Sequence, residues 1–368
     1  MKVAFCNRPT WDNPLGGDGV QMLKTKEALE RLYNMEIMII TNPKEITNEY
    51  DLVHIFNFVT YKITKSFFER AIELRIPIAS SSIFWDYTYA SNRFMNFFIG
   101  DYFSVVRSNI YRVIAHSMAF CLNYPQYLTK RFRKEYKYFC NMSSVILPNS
   151  IEEGELLQTY INSPTITDKI HVVYNGVCNS SKVDYLQSDA FFSKYQIPTN
   201  YILQVARIEP VKNQINLLYS LKDNKEIPIV FVGKVVCKEY YAKLRKKADK
   251  RGNVYFINAV PHEEIDNFYR YASLHVLLSL RESPGLVSLE ALANNCPIVV
   301  ANSKYAPVST YFSSQPYIVN PFNIKEIKKV ILNAYKVQMV VKDDMKNFSW
   351  DMAAKQTYEA YQRIGILN

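Results

Sequence analysis

The sequence has few of the residues from which metal sites and disulfide frameworks are built. It contains six cysteines and five histidines among 368 residues. The cysteines are scattered without C-x-x-C spacing, and the histidines lack the spacing of metal ligands. We therefore predict no zinc knuckle, no divalent metal centre and no disulfide framework, and a reducing compartment fits this cysteine usage best.

Long apolar runs are also missing. No basic segment followed by an apolar one stands at the first methionine, and the longest stretch without formal charge, residues 113–128, is too short and too polar to cross a bilayer. We therefore expect a cytoplasmic protein, and peripheral contact with the inner face of a membrane stays open.

Acidic residues are in the minority. The chain has 44 lysines and arginines against 34 aspartates and glutamates, which gives a formal net charge of +10. This charge favours an anionic partner such as a nucleotide, a lipid-linked phosphate, an anionic membrane surface or a nucleic acid. Because no recognisable nucleic-acid module accompanies the basic residues, we do not predict nucleic-acid binding.

The length and the order of apolar segments predict an α/β protein of two domains. Hydrophobic residues make up 48% of the chain, which is enough for packed cores and argues against disorder. After a first buried strand at the N-terminus, β-type runs alternate with helical patterns, which predicts parallel sheets with helices on both faces. The predicted strands are 36–41, 51–56, 77–82, 144–150 and 170–175, then a run that begins at 201, and 227–233, 254–260, 274–280 and 297–303. The polar segment from 176 to about 200 is the predicted linker.

The most informative motif is RESPGLVSLEALANN, which begins at residue 281. An apolar strand leads into a turn containing Gly285, and the amphipathic segment after it predicts a helix. Free N–H groups at a helix start favour an anion, and glycine lets a phosphate approach the backbone. Glu282 and Glu290 flank this turn, and carboxylates can accept hydrogen bonds from sugar and ribose hydroxyls. The spacing alone also fits two solvated glutamates.

A second motif follows the strand that starts at residue 201. The loop after it carries Arg207 and Lys212, and a fixed pair of cations at the carboxyl end of a strand suits a diphosphate. Two exposed basic residues in a surface loop are the alternative.

Glycine is scarce, with ten residues in the chain, and three of them stand together in GGDG: Gly16, Gly17 and Gly19. Such a concentration between a strand and a helix indicates that a backbone must come close to something. The cluster is not the G-x-G-x-x-G fingerprint, and a tight turn without a ligand would use the same residues.

The two motifs together resemble those of retaining GT-B glycosyltransferases, in particular glycosyltransferase family 4. RESPGLVSLEALANN is similar to the E-x7-E motif, and ARIEPVKN is similar to G-R-x-x-x-x-K-x, with Ala206 in place of the family's glycine. The resemblance implies a GT-B fold of two Rossmann-like domains that face each other across a cleft. It also implies an acceptor-side domain over 1–178, a nucleotide-sugar domain over 179–350, and a C-terminal helix over 351–368 that crosses back to the first domain.

The resemblance further implies a metal-independent, retaining hexosyltransferase that needs no cofactor. It would move a sugar from a nucleotide-sugar donor, a UDP- or GDP-sugar, to a glycan or lipid-linked acceptor. Richness in Asn, Lys, Ile and Tyr hints at a bacterial source and surface polysaccharide synthesis. The resemblance also implies a role for each site residue. The diphosphate would be held by Arg207 and Lys212, and phosphate would be bound by Gly285 with the N–H groups of Leu286 and Val287. Glu282 would hold the donor sugar, Glu290 the ribose and Val260 the base, while Gly16 and Gly17 would close the cleft.

Other interpretations stay open. One is a non-catalytic GT-B protein that binds the nucleotide sugar as the partner of a transferase, and another is a sugar-nucleotide epimerase. The aromatic and basic segment 83–140 is either an acceptor platform or a set of covering helices. Within it, Asp86 lies near the place where the family often has a histidine. His54 either borders the cleft or is a core histidine.

Overall fold

The computed structural model describes residues 1–12, 16–85, 129–177, 188–339 and 345–366, and the side chains of 129–132, 262, 345 and 346 are not included. The described residues form two compact units. The first contains residues 1–85, 129–177 and 346–366, and the second contains 188–339. Asp86, most of the aromatic and basic segment and the predicted boundary at 178 lie outside the described residues.

The first unit is a five-stranded parallel sheet in the order β2-β1-β3-β4-β5, with helices around it. Its strands are β1 (Lys2–Cys6), β2 (Glu36–Ile40), β3 (Leu52–Phe56), β4 (Ile78–Ser81) and β5 (Val145–Ile146). Its helices up to residue 177 are α1 (Gly17–Tyr33), α2 (Tyr61–Glu73), α3 (Thr129–Met142) and α4 (Ile151–Ile161). The predicted alternation of strands and helices is confirmed here.

The second unit is a six-stranded parallel sheet in the order β11-β10-β9-β6-β7-β8. Its strands are β6 (Tyr201–Val205), β7 (Ile229–Val232), β8 (Val254–Ile257), β9 (Ala272–Leu277), β10 (Ile298–Ala301) and β11 (Ile318–Val319). Its helices are α5 (Ser188–Tyr195), α6 (Gln214–Ser220), α7 (Lys238–Arg251), α8 (His262–Tyr271), α9 (Leu286–Ala293), α10 (Val308–Tyr311) and α11 (Ile324–Val337). Apolar side chains of the sheet and helices form a large buried core within this unit.

The last helix, α12 (Trp350–Arg363), belongs to the first unit. It lies along α1, where Arg31 pairs with Asp351 and the ring of Tyr33 stacks on Tyr358 with centroids 4.0 Å apart. The predicted return of the C-terminal helix to the first domain is therefore confirmed.

His54 lies in β3 and is a core residue. It is 1% exposed, its Nδ1 lies 2.7 Å from the hydroxyl of Tyr361 on α12, and its Nε2 lies 2.9 Å from Oγ of Ser81. Both ring nitrogens are used by the protein's own side chains. Of the two interpretations of His54, the structure supports the core histidine.

Three sequence predictions about elements were wrong or incomplete. Segment 170–175 has a single bridge, from Ile170 to Ile146, and is not a strand. The predicted linker contains α5, because Phe191 is fully buried against Phe268 and anchors a helix there. Strand β11 was not predicted, since only two residues form it.

The aromatic side chains in the described part of segment 83–140 are core residues. Phe84, Trp85, Tyr136 and Phe139 are each at most 6% exposed. For these four the acceptor platform is wrong, because a buried ring cannot stack on a sugar. Tyr136 and Phe139 lie on α3, as the covering-helix interpretation requires, whereas Phe84 and Trp85 lie in the loop after β4.

Because two histidines are buried, we predict that acid lowers the free energy of unfolding. Burial lowers the pKa of His54 and of His275 from 6.5 to about 3. The unfolded chain therefore takes up protons below about pH 6.5 that the folded chain excludes, so stability is full above that pH and falls as the pH drops toward 3. Each histidine contributes a slope of up to about 1.4 kcal/mol per pH unit. We expect a lower urea midpoint at pH 5 than at pH 7, measured by circular dichroism.

His275→Leu isolates this effect in the second unit. Neither ring nitrogen of His275 has a hydrogen-bond partner among the described residues, so leucine removes the titrating group without breaking a side-chain bond. The variant should lose less stability than the parent between pH 7 and pH 5. An equal loss in both proteins would show that His275 takes up no extra proton on unfolding.

Candidate functional site

The predicted site residues of the second unit follow neighbouring strands. Strands β9, β6, β7 and β8 are consecutive and parallel, so their carboxyl ends share one edge of the sheet. Arg207 and Lys212 follow β6, Val260 follows β8, and Glu282 follows β9. Ligands of open α/β sheets bind beyond such an edge.

The loop after β6 is tied to the end of β9. The side chain of Asn213, a buried residue with φ 57°, donates hydrogen bonds to the carbonyls of Leu278 and Pro321, both at 3.1 Å. The backbone N–H of Leu280 donates to the carbonyl of Val211 at 2.9 Å. These bonds hold Lys212, which lies between Val211 and Asn213, without any help from its own side chain.

Lys212 and Glu282 form an ion pair across the two loops. Their Nζ and Oε1 atoms lie 2.6 Å apart, and the two side chains are 16% and 11% exposed. The backbone N–H of Glu282 also donates to the carbonyl of Tyr305 at 2.8 Å, which fixes the start of the turn. A lysine ammonium has three donors, so one bond to Glu282 leaves two for other acceptors.

Arg207 is more open. Its guanidinium lies 2.8 Å from Oε1 of Glu209 in the same loop, and its side chain is 47% exposed. Its carbonyl accepts a hydrogen bond from Nε2 of Gln214 at 2.9 Å. The backbone at Arg207 is thus held by α6, while the charged group reaches toward solvent.

Gly233, which follows β7, supports the backbone just before Arg207. Its φ is +148°, and a Cβ atom at this position would stand 2.2 Å from the carbonyl oxygen of Ala206. Only glycine lets the two loops approach so closely. Sequence reasoning missed Gly233, although a glycine directly after a buried strand is a signal of such an approach.

The turn at Gly285 starts α9 as predicted from the motif. Gly285 has φ +87°, a conformation that favours glycine, whereas an added Cβ would meet only ordinary contacts of 3.6 Å or more. Leu286 and Val287 are the first helical residues, so their N–H groups have no acceptor within the helix. Both residues are partly exposed, and an anion can approach these donors.

Glu290 has a protein partner that the sequence did not reveal. Its side chain is partly exposed rather than enclosed in the core, and the hydroxyl of Tyr269 on α8 donates to its Oε2 at 3.1 Å. Tyr269 itself is fully buried. The sequence contains 28 tyrosines, and nothing in its pattern marks this one as the partner of a glutamate 21 residues away.

The other predicted site residues are Val260 in the second unit and Gly16 and Gly17 in the first. Val260 lies partly exposed in the loop between β8 and α8. In the first unit, Gly16 precedes α1 with φ −106°, and Gly17 begins the helix. A Cβ at Gly17 would meet nothing within 4 Å, so packing within the protein does not explain glycine there.

The described residues contain neither a metal-binding cluster nor a membrane-spanning helix. Within the described ranges, no group of three or more His, Cys, Asp and Glu side chains is arranged to hold a metal ion. In that same part of the chain, no helix combines the length and the apolar character that crossing a bilayer requires.

Comparison with known proteins agrees with this arrangement. Residues 187–349 match the family model for glycosyl transferases group 1. The chain is 26% identical over 220 residues to an uncharacterized glycosyltransferase of Methanocaldococcus jannaschii, which is 54% of this chain and 55% of that protein. It is 25% identical over 186 residues to the serotype-specific mannosyltransferase WbdA of Escherichia coli, which is 46% of this chain and 23% of that protein.

A solved structure extends the likeness to the first unit. The fold is similar to Anabaena HepE in complex with UDP and glucose, with a TM-score of 0.62, 14% identity, and coverage of 100% of this chain and 96% of that one. The protein thus has the GT-B fold, and the family match covers the described residues of its second unit. The matches span about half of the M. jannaschii protein and about a quarter of WbdA.

Proposed function

We propose that the protein is a retaining glycosyltransferase that moves a hexose from a nucleoside-diphosphate sugar to a hydroxyl group of a glycan or lipid-linked acceptor. The ion pair between Lys212 and Glu282 carries this proposal. It joins the group suited to a diphosphate with the group suited to a sugar hydroxyl, beside the N-terminus of α9.

In this proposal, the diphosphate binds at the Gly285 turn. The free N–H groups of Leu286 and Val287 and the positive end of the α9 dipole favour its charge. Lys212 uses its remaining donors for the phosphate oxygens, and the exposed guanidinium of Arg207 adds a second cation. The same groups stabilise the negative charge that grows on the diphosphate as the sugar leaves, so no metal ion is needed.

Glu282 and Glu290 would bind the two sugars of the donor. Glu282, which is paired with Lys212, accepts hydrogen bonds from hydroxyls of the transferred sugar, while Glu290 accepts from the ribose. Val260 would lie against the base. A front-face mechanism with retention of configuration fits this set, since none of these side chains is proposed as a nucleophile.

Gly16 and Gly17 complete the proposal from the first unit. Neither has a positive φ, so the backbone alone does not require glycine at these positions. At Gly16 an added Cβ would stand 2.8 Å from Oδ1 of Asp18, whereas at Gly17 it would meet nothing within 4 Å, so space for an approaching phosphate or acceptor is the reason we propose for Gly17. On α3, exposed Arg133, Lys134 and Lys137 would suit an anionic membrane surface that carries a lipid-linked acceptor.

The nucleotide and the sugar of the donor are proposed from the names of the similar proteins. HepE was solved with UDP and glucose, and WbdA is a mannosyltransferase by name. A UDP- or GDP-hexose used in bacterial surface polysaccharide synthesis is therefore the donor we propose.

A thermal-shift panel of UDP-, GDP-, ADP- and TDP-sugars tests the site. A ligand that binds only the folded protein raises the melting temperature by mass action, by about 2.7 kcal/mol of stabilisation at a hundredfold excess over Kd. We expect a rise with one nucleotide class, and Glu290→Ala should abolish it. The anomeric configuration of the product, read by NMR, then tests retention.

The outcomes separate the alternatives. A nucleotide sugar that binds but yields no glycosylated product with any acceptor would favour the non-catalytic partner. An epimerised donor without a transferred sugar would favour the epimerase. No shift with any member of the panel would contradict the site.

A further inference from the structure

We infer that Tyr269 is a positioning residue for the donor's ribose, because its hydroxyl holds the Glu290 carboxylate in one orientation. This inference rests on the proposed function, in which Glu290 accepts hydrogen bonds from the ribose. The Tyr269 hydroxyl lies 3.1 Å from Oε2 of Glu290, on neighbouring helices α8 and α9.

The tyrosine is itself held rigidly. It is 0% exposed, and its ring meets the ring of His275 edge to face with centroids 5.5 Å apart. The carbonyl of the preceding residue, Phe268, accepts a hydrogen bond from the buried hydroxyl of Tyr201 at 2.7 Å. Helix α8 is thus fixed to the base of the sheet at the position that carries Tyr269.

The hydroxyl remains a donor throughout the working pH range. Burial raises the pKa of Tyr269 well above its ordinary value, and the neighbouring Glu290 carboxylate raises it further. Ordering a glutamate side chain when a ligand binds weakens affinity, and a hydrogen bond formed beforehand reduces that cost. The Tyr269 hydroxyl contributes such a bond to Glu290 before the ligand arrives.

The same two helices share a second side-chain link, which provides a matched control. Nδ2 of Asn294 donates to Oδ1 of Asp266 on α8 at 2.7 Å, and also to the carbonyl of Glu290 at 3.0 Å. Asp266→Ala therefore removes a link between α8 and the end of α9 without touching the Glu290 carboxylate.

The experiment measures the affinity of the folded protein for UDP, 2′-deoxy-UDP and 3′-deoxy-UDP by calorimetry, or for the guanine nucleotides if the GDP-sugars bind. Tyr269→Phe should weaken UDP binding about fivefold to tenfold, the usual net effect of losing one hydrogen bond. It should also lower the preference for UDP over its deoxy forms. Asp266→Ala should keep both the affinity and the preference.

Glu290→Gln separates the two levels of the inference. If Glu290→Gln loses the preference while Tyr269→Phe keeps it, the positioning role is overturned and the ribose site stands. If Glu290→Gln keeps the preference, the ribose role of Glu290 fails, and the role of Tyr269 fails with it. If Asp266→Ala loses as much preference as Tyr269→Phe, the effect is a general loosening of the helices and the inference is overturned.

Discussion

Lys212→Ala is expected to lower the turnover of sugar transfer by about 100-fold to 1,000-fold, the usual cost of removing one group that stabilises charge in a transition state. Lys212 is the less exposed of the two proposed cations, with 16% exposure against 47% for Arg207. A cation shielded from water interacts more strongly with a developing charge, so its loss should exceed the loss from Arg207→Ala.

The variant should still fold. The loop around Lys212 is held by the Asn213 side chain and by the hydrogen bond from Leu280 to Val211, and neither involves the lysine side chain. The measurement is kcat with the donor found in the thermal-shift panel, together with circular dichroism of the variant. A folded variant with unchanged turnover would remove Lys212 from the site.

Two further variants test which property of the Lys212 side chain supports turnover. Lys212→Arg keeps the charge but changes its shape, and should recover part of the turnover. Lys212→Ala with Glu282→Gln removes both charges and avoids leaving the carboxylate without its ion pair. If the double variant were as active as the parent, the pair would serve stability alone.

The sequence pattern predicted the position of the site because the topology of a parallel sheet restricts where the loops after its strands can lie. Once the run that begins at 201 and the run at 274–280 are assigned to one parallel sheet, the residues after them must lie at one edge. Arg207 and Lys212 follow the first run and Glu282 follows the second, and the structure brings Lys212 and Glu282 to 2.6 Å. The motif spacing alone left solvated surface residues as an alternative for each.

The sequence pattern did not predict which side chains of the protein bind these site residues. The motif identified Glu290 as a site residue without a protein partner, yet its side chain accepts a hydrogen bond from the hydroxyl of Tyr269. That contact depends on how α8 packs against α9, which is set by tertiary structure and leaves no local period. Helix α5 was not predicted, because its stability also depends on tertiary contacts. Phe191 packs against the rings of Phe268 and Tyr271, which are distant in sequence.

Gly233→Ala is expected to cost about 3 kcal/mol or more of the stability of the second unit, through steric overlap that neither backbone can relieve cheaply. The added Cβ would stand 2.2 Å from the Ala206 carbonyl oxygen, and φ of +148° is strained for any side chain. Since Ala206 precedes Arg207, the displaced backbone should also weaken donor binding about tenfold or more.

Gly252→Ala is the matched control for backbone strain. Gly252 also has a positive φ, at +78°, with ψ 167°, but its Cβ would meet nothing within 4 Å, so the expected cost is about 1–3 kcal/mol. The three tryptophans lie outside residues 188–339, so unfolding of the second unit is best followed by circular dichroism and hydrogen exchange. Faster exchange confined to 201–208 and 229–236 in Gly233→Ala would locate the overlap between these loops. Equal losses of stability in the two variants, with no local change in exchange, would mean that strain at φ accounts for Gly233 and that the close approach to Ala206 does not support the Arg207 loop.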